Sequence, residues 1–122
     1  MKIYEGKRTK DGCEVTVDGK PLPPRLDLWN HSPAGFEFGY GGSGPAQLAL
    51  AILADFFEVP TAYESDDRHH PSAERAIRLH QFFKFLVISG IKGDSFKLTA
   101  DDVAQAVHEL EREKEFRSKS RS

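Results

Sequence analysis

Asn30-His31-Ser32 sits just ahead of a glycine-dense run, Gly35-Phe36-Glu37-Phe38-Gly39-Tyr40-Gly41-Gly42-Ser43-Gly44-Pro45. A histidine beside a serine suggests a general base next to a nucleophile, with Asp27 or Glu37 as the acid that would orient His31. Side chains this close in an extended segment point apart, and the spacing is not that of a G-x-S-x-G elbow. The more economical role for Asn30, His31 and Ser32 is to satisfy the loop's own backbone. Gly44 and Pro45 read as the N-cap and first residue of a helix, since proline lacks the N–H that would be unpaired there. Free amides from a glycine loop at a helix start can seat an anion. No Lys-Ser/Thr follows Gly44, so this is not a Walker loop. A preceding antiparallel meander would also be the wrong setting for a dinucleotide fingerprint. The competing structural reading is that the glycines let the backbone turn tightly and let rings pack on it.

Phe36, Phe38 and Tyr40 alternate with Gly35, Glu37 and Gly39, which predicts a short strand with three aromatics on one side. Such a row either roofs the core or forms a platform for a ring. In Arg25-Leu26-Asp27-Leu28-Trp29, alternation puts Leu26 and Leu28 on one face and Arg25, Asp27 and Trp29 on the other. The candidate ligand- or partner-binding face therefore comprises Arg25, Asp27, Trp29, His31, Glu37, Tyr40, Gly41, Gly42, Ser43 and Gly44. No catalytic residue is assigned, and no cofactor is expected. Asp66, Asp67, His69 and His70 could ligate a metal, but they lack H-E-x-x-H or cysteine-containing spacing. They read as a solvated loop, and no metal is expected. Cys13 lies on the inward face of its strand and reads as core.

These residues need a scaffold. Lys2 to Arg8, Cys13 to Val17 and Arg25 to Trp29 read as three extended segments, the first two punctuated by Asp11-Gly12 and Asp18-Gly19. Pro45 to about Phe57 is a helix apolar on most sides, hence buried on most sides. Glu64 to Pro71 is a polar linker. A second helix runs from about Ser72 to Ile88, with Ala76, Leu79, Phe83, Leu86 and Val87 as its apolar stripe, widened by Phe82, and Gly90 as its C-cap. Thr99 caps a third helix, with Asp102 in the capping-box position and Leu98 and Val103 as a staple. Strands first and helices after predict an α+β fold: a three- or four-stranded antiparallel sheet against three helices. One domain is expected over residues 1–116, with 117–122 a frayed tail.

Composition narrows the function classes. The chain has 122 residues, 39% hydrophobic and 30% charged, with a net charge of −2, which fits a soluble globular protein. A single cysteine excludes an internal disulfide and favours a reducing, cytoplasmic setting. The start of the chain has no apolar run behind its charge, so no signal peptide is expected. No run is long enough for a membrane span. Residues 31–70 hold one basic residue against six acidic ones, which disfavours nucleic acid as a partner.

Val17 to Leu22, Arg25 to Pro33 and Gly35 to Ala49 together resemble a family of small proteins from bacteria, plasmids and phages that carries a domain of unknown function. The resemblance covers residues 2 to about 110 and is most specific over 25–55. It implies a mobile-element or phage context but no particular activity. The reading that follows is a non-catalytic binding protein acting on a host protein. The alternatives are a small phosphorylated or nucleotide-like ligand held at the glycine loop, a small enzyme using His31 and Glu37, and a homo-oligomeric structural protein.

Overall fold

The computed structural model describes residues 2–60 and 71–120, with side chains as far as Arg112. The linker predicted over 64–71, including His69 and His70, lies almost wholly outside the described residues. The chain forms β1 (Ile3–Thr9), β2 (Gly12–Val17), β3 (Lys20–Pro21), α1 (Ser43–Phe56), α2 (Pro71–Phe83), a π-helical turn (Lys84–Ile88), β4 (Ser95–Thr99) and α3 (Ala100–Ser120). The sheet is antiparallel, in the order β3-β2-β1-β4. This is the expected α+β architecture.

The β1–β2 hairpin pairs Tyr4 with Val17 and Thr9 with Gly12. Asp18 and Gly19 then take positive φ (51° and 83°), the geometry of a tight hairpin turn that Asp-Gly adopts at little cost. Tyr4 and Val15 point into the core. Cys13 packs against that core in part, as expected, and burial pushes its thiol up to about 11, which disfavours the thiolate at neutral pH.

The third strand differs from expectation. Arg25 to Trp29 is not extended: residues 26–28 form a turn, and the Leu28 amide donates to the Arg25 carbonyl at 3.1 Å. Leu26 and Leu28 therefore do not share a face; Leu28 is buried and Leu26 is exposed. β3 ends at Pro21, the Leu22 amide makes one more bond to the Val15 carbonyl of β2 (3.0 Å), and the prolines at 23 and 24, which cannot donate to a ladder, take it no further. The fourth strand is supplied instead by Ser95–Thr99, which pairs with β1. Phe36 to Tyr40 is also not a strand, and its aromatics separate: Phe38 is buried, Phe36 half-buried, Tyr40 exposed.

Helix α1 is the core of the molecule. Every residue from Gly44 to Ala54 is buried, and α1 packs on α2, on the π-turn and on α3. Its N-cap is Gly42 rather than Gly44. Near its C-terminal end Asp55 accepts hydrogen bonds from the Tyr4 hydroxyl (2.8 Å) and Lys2 Nζ (3.1 Å), tying α1 to β1. The second helix departs from a pure α-period at Lys84, where the Ser89 amide donates to the Lys84 carbonyl in an i→i+5 bond. Its cap is Ser89, not Gly90. The α3 capping box forms as predicted: the Asp102 amide donates to Thr99 Oγ1 (3.1 Å), and Asp102 accepts from the Thr99 amide (2.9 Å).

Candidate functional site

The loop from Pro24 to Ser32 is held chiefly from α1, by a single amide side chain. Gln47, in the second turn of α1, is fully buried. Its Oε1 accepts from the amides of His31 (2.8 Å) and Ser32 (3.2 Å). Its Nε2 donates to the carbonyls of Pro24 (2.6 Å) and Trp29 (3.0 Å). A primary amide has two donor hydrogens and two acceptor lone pairs, and all four are used. Ser32 closes its own turn by donating to the Gly35 carbonyl (2.8 Å). The structural reading of Asn30-His31-Ser32 therefore holds for Ser32, which does not meet His31 as a nucleophile would.

His31 meets a histidine from α2 instead. Nε2 of His31 and Nε2 of His80 are 2.9 Å apart. Nδ1 of His80 lies 2.5 Å from the Ile77 carbonyl, so it must carry a proton. In the neutral pair His80 Nε2 then accepts, and His31 Nε2–H donates. Trp29 stacks on His31, with centroids 5.5 Å apart and planes 13° from parallel, and its ring centroid also lies 6.5 Å from that of His80. Lys84, one turn beyond His80, is only 8% exposed and lies over the Phe85 ring at 4.3 Å. Burial first, and the Lys84 charge after it, lower the proton affinity of His31. For His80 burial is again the main cause, with His31 and Lys84 adding to it and the Ile77 carbonyl opposing.

The glycine loop is packed rather than open. A Cβ on Gly44 would lie 2.8 Å from Glu37 Cβ and 3.2 Å from its backbone nitrogen, and one on Gly42 would lie 2.6 Å from the Tyr40 ring. Glycine at both positions permits this close approach. Glu37 accepts from Arg8 Nε (3.0 Å), and Arg8 also reaches the carbonyls of Phe38 and Gly93. The acid beside the start of α1 is thus already committed to a cation, and it is not the partner of His31.

Around this cluster the surface is apolar. Trp29 is 51% exposed, Tyr40 52%, Phe82 57%, Phe85 64% and Leu86 47%. Phe85 approaches Gly41, and Tyr40 covers Gly42, so the glycine loop and the π-turn form one face. Phe82 and Phe85 lie off the buried face set by Ala76, Leu79 and Phe83, and the π-turn shifts the helical phase, so Ile88 turns inward and Leu86, expected in the buried stripe, turns out. Leu28, Trp29, Asn30 and Ile77 line a cleft of about 290 Å³ next to the stack.

Of the residues singled out from the sequence, Trp29 and His31 come together, and Tyr40, Gly41 and Gly42 lie on the same aromatic face. Ser43 and Gly44 open α1, with Gly44 against Glu37. Arg25 and Asp27 pair with each other (3.0 Å), and Arg25 donates to the Val59 and Pro60 carbonyls, past the C-terminal end of α1. Sequence reasoning missed Gln47, His80, Lys84 and Phe85. Gln47 carried a signal, as a lone amide inside an apolar helix. His80 and Lys84 carried only their i, i+4 spacing within the second predicted helix.

Among the described residues no group of three or more His, Cys, Asp or Glu is placed to hold a metal. No described helix is long and apolar enough to cross a membrane. No curated protein and no solved structure matches the chain. Residues 4–109 match a family defined by sequence, and that span includes the Gln47 loop anchor, the His31–His80 pair and the aromatic face: the chain belongs to the family of unknown function DUF6166.

Proposed function

We propose that this chain is a non-catalytic binding protein that docks a partner protein on the face formed by Trp29, Tyr40, Phe82, Phe85 and Leu86. The observation that carries this reading is the exposure of these five side chains, each about half or more open to solvent. Large aromatics are costly to leave in water, and clusters of them are typical of binding anchors. Gln47 holds the backbone of Trp29 on a buried helix, so the anchor is pre-organised, which lowers the entropy cost of association. A host protein is the partner that a mobile-element setting would supply.

The small-anion alternative draws on Gly42, which caps α1 without a side-chain hydrogen bond. Glu37 packed on Gly44 weighs against it, because a carboxylate beside the helix start competes with any anion for the same positive dipole end. The enzyme reading would need His31 and Glu37 to act together, and their hydrogen bonds go to His80 and Arg8.

Affinity capture from the encoding cell, followed by calorimetry with the recovered protein made recombinantly, tests the docking reading. Trp29→Ala and Phe85→Ser should each weaken binding by roughly tenfold or more with the thermal melt retained. Equal binding by both variants removes this face. A thermal shift with nucleotides or phosphate that Phe85→Ser leaves intact favours the small-anion alternative instead.

A further inference from the structure

We propose that Lys84, with His31 and His80, receives an acidic side chain of the docked partner, an Asp or Glu carboxylate flanked by apolar residues. This rests on the docking reading above and names what the partner must carry.

Lys84 is 92% removed from solvent as a residue, yet its ammonium makes no hydrogen bond or ion pair with the described residues and contacts the face of Phe85. An ammonium taken out of water without a counter-charge is costly, and an incoming carboxylate relieves that cost. The neighbouring groups suit the same guest. The imidazoles of His31 and His80 converge at 2.9 Å and feel the Lys84 charge, and no carboxylate among the described residues balances either ring. The nearby acids are engaged elsewhere, Glu37 with Arg8 and Asp27 with Arg25. The ammonium lies over the face of the ring of Phe85, which is 64% exposed, so a carboxylate reaching it comes to lie against an apolar surface. A protein side chain with apolar neighbours meets both demands, whereas a free anion meets only the charge. Burial and Lys84 lower the proton affinity of both imidazoles, and a bound carboxylate opposes this, so binding should be coupled to uptake of one proton by the His31–His80 pair as pH falls.

The test is selection of a random displayed peptide library on the immobilised full chain, with the winners remade as free peptides. Enriched peptides should place Asp or Glu beside Leu, Phe or Trp. Replacing that acid by its amide should weaken binding roughly tenfold or more, as should Lys84→Met, and affinity should rise as pH falls from about 7.5 through about 6. The amide swap changes the peptide only, so it remains decisive if Lys84→Met does not fold. Winners that lack an acid, depend on Phe85 and ignore Lys84→Met overturn this inference and leave the docking face standing. Winners indifferent to both Phe85→Ser and Lys84→Met, or no winners, overturn both. Light scattering that shows self-association abolished by Phe85→Ser assigns the face to a second copy and also overturns it.

Discussion

Gln47 shows how one side chain can fix a functional loop. With its four hydrogen bonds to Pro24, Trp29, His31 and Ser32, it stands in for a secondary structure that the loop lacks. Gln47→Leu keeps much of the volume but strands two carbonyls and two amides. Some of these recover water, so the expected cost is roughly 2–4 kcal/mol in a urea melt. Trp29, the sole tryptophan, should shift its emission to the red as the loop loosens. The histidine pair supplies a second test. Both imidazoles have folded-state proton affinities below the ordinary value of 6.5, so the unfolded chain binds more protons as pH falls through that value. The pair's contribution is complete above about pH 7, shrinks as pH falls through 6.5, and levels off once the folded imidazoles protonate. Glu111, whose carboxyl is held low by Arg75, adds its own loss only in the acid range below 4.5. His80→Gln should flatten urea midpoints between about pH 7 and pH 5.5; an unchanged slope would show that the pair does not couple to folding. Residue types revealed His31 as chemically capable, but not its partner. A contact between positions 31 and 80 is a product of tertiary folding that no local spacing encodes.

At the scale of elements, local signals were legible where they were self-contained. Asp18-Gly19 became a turn with positive φ, and Thr99 with Asp102 became a capping box, because each is satisfied within a few residues. Thr99→Ala should therefore cost about 1 kcal/mol in thermal or urea unfolding, while Thr99→Ser, which keeps the acceptor, should cost less. The alternating pattern of Arg25 to Trp29 misled because Gln47 and the Arg25 guanidinium recruit that backbone into a turn. Tertiary hydrogen bonds outweighed a two-residue period. Phe36 to Tyr40 failed for a related reason: the Gly39 amide donates to the Ile88 carbonyl, so the segment packs on the π-turn instead of on a strand. The short β4 was not read from the sequence, where Leu98 served only as a staple for α3, and its partner β1 lies far away in the chain. The π-turn itself left no mark in the composition, yet it decides that Ile88 is buried and Leu86 faces solvent.

Across the whole molecule, burial and exposure are divided between two elements. Helix α1 takes the core, with Leu48, Leu50, Ile52 and Leu53 all fully buried, while the π-turn carries Phe85 and Leu86 outward. Apolar content alone placed α1 at the centre, since a helix without a polar face must be covered on every side. It could not show that the end of the next helix would leave apolar side chains uncovered. The two roles should separate experimentally. Leu53→Ala opens a cavity in the central helix and should cost roughly 2–5 kcal/mol, lowering the urea midpoint without altering the binding face. Phe85→Ser removes an exposed ring and should leave the midpoint nearly unchanged or raise it, while weakening partner binding. A stability loss below about 1 kcal/mol for Leu53→Ala would mean that α1 is not the structural core. A loss for Phe85→Ser as large as that for Leu53→Ala would mean that the aromatic face holds the fold together, and its reading as a docking surface would fall with that result.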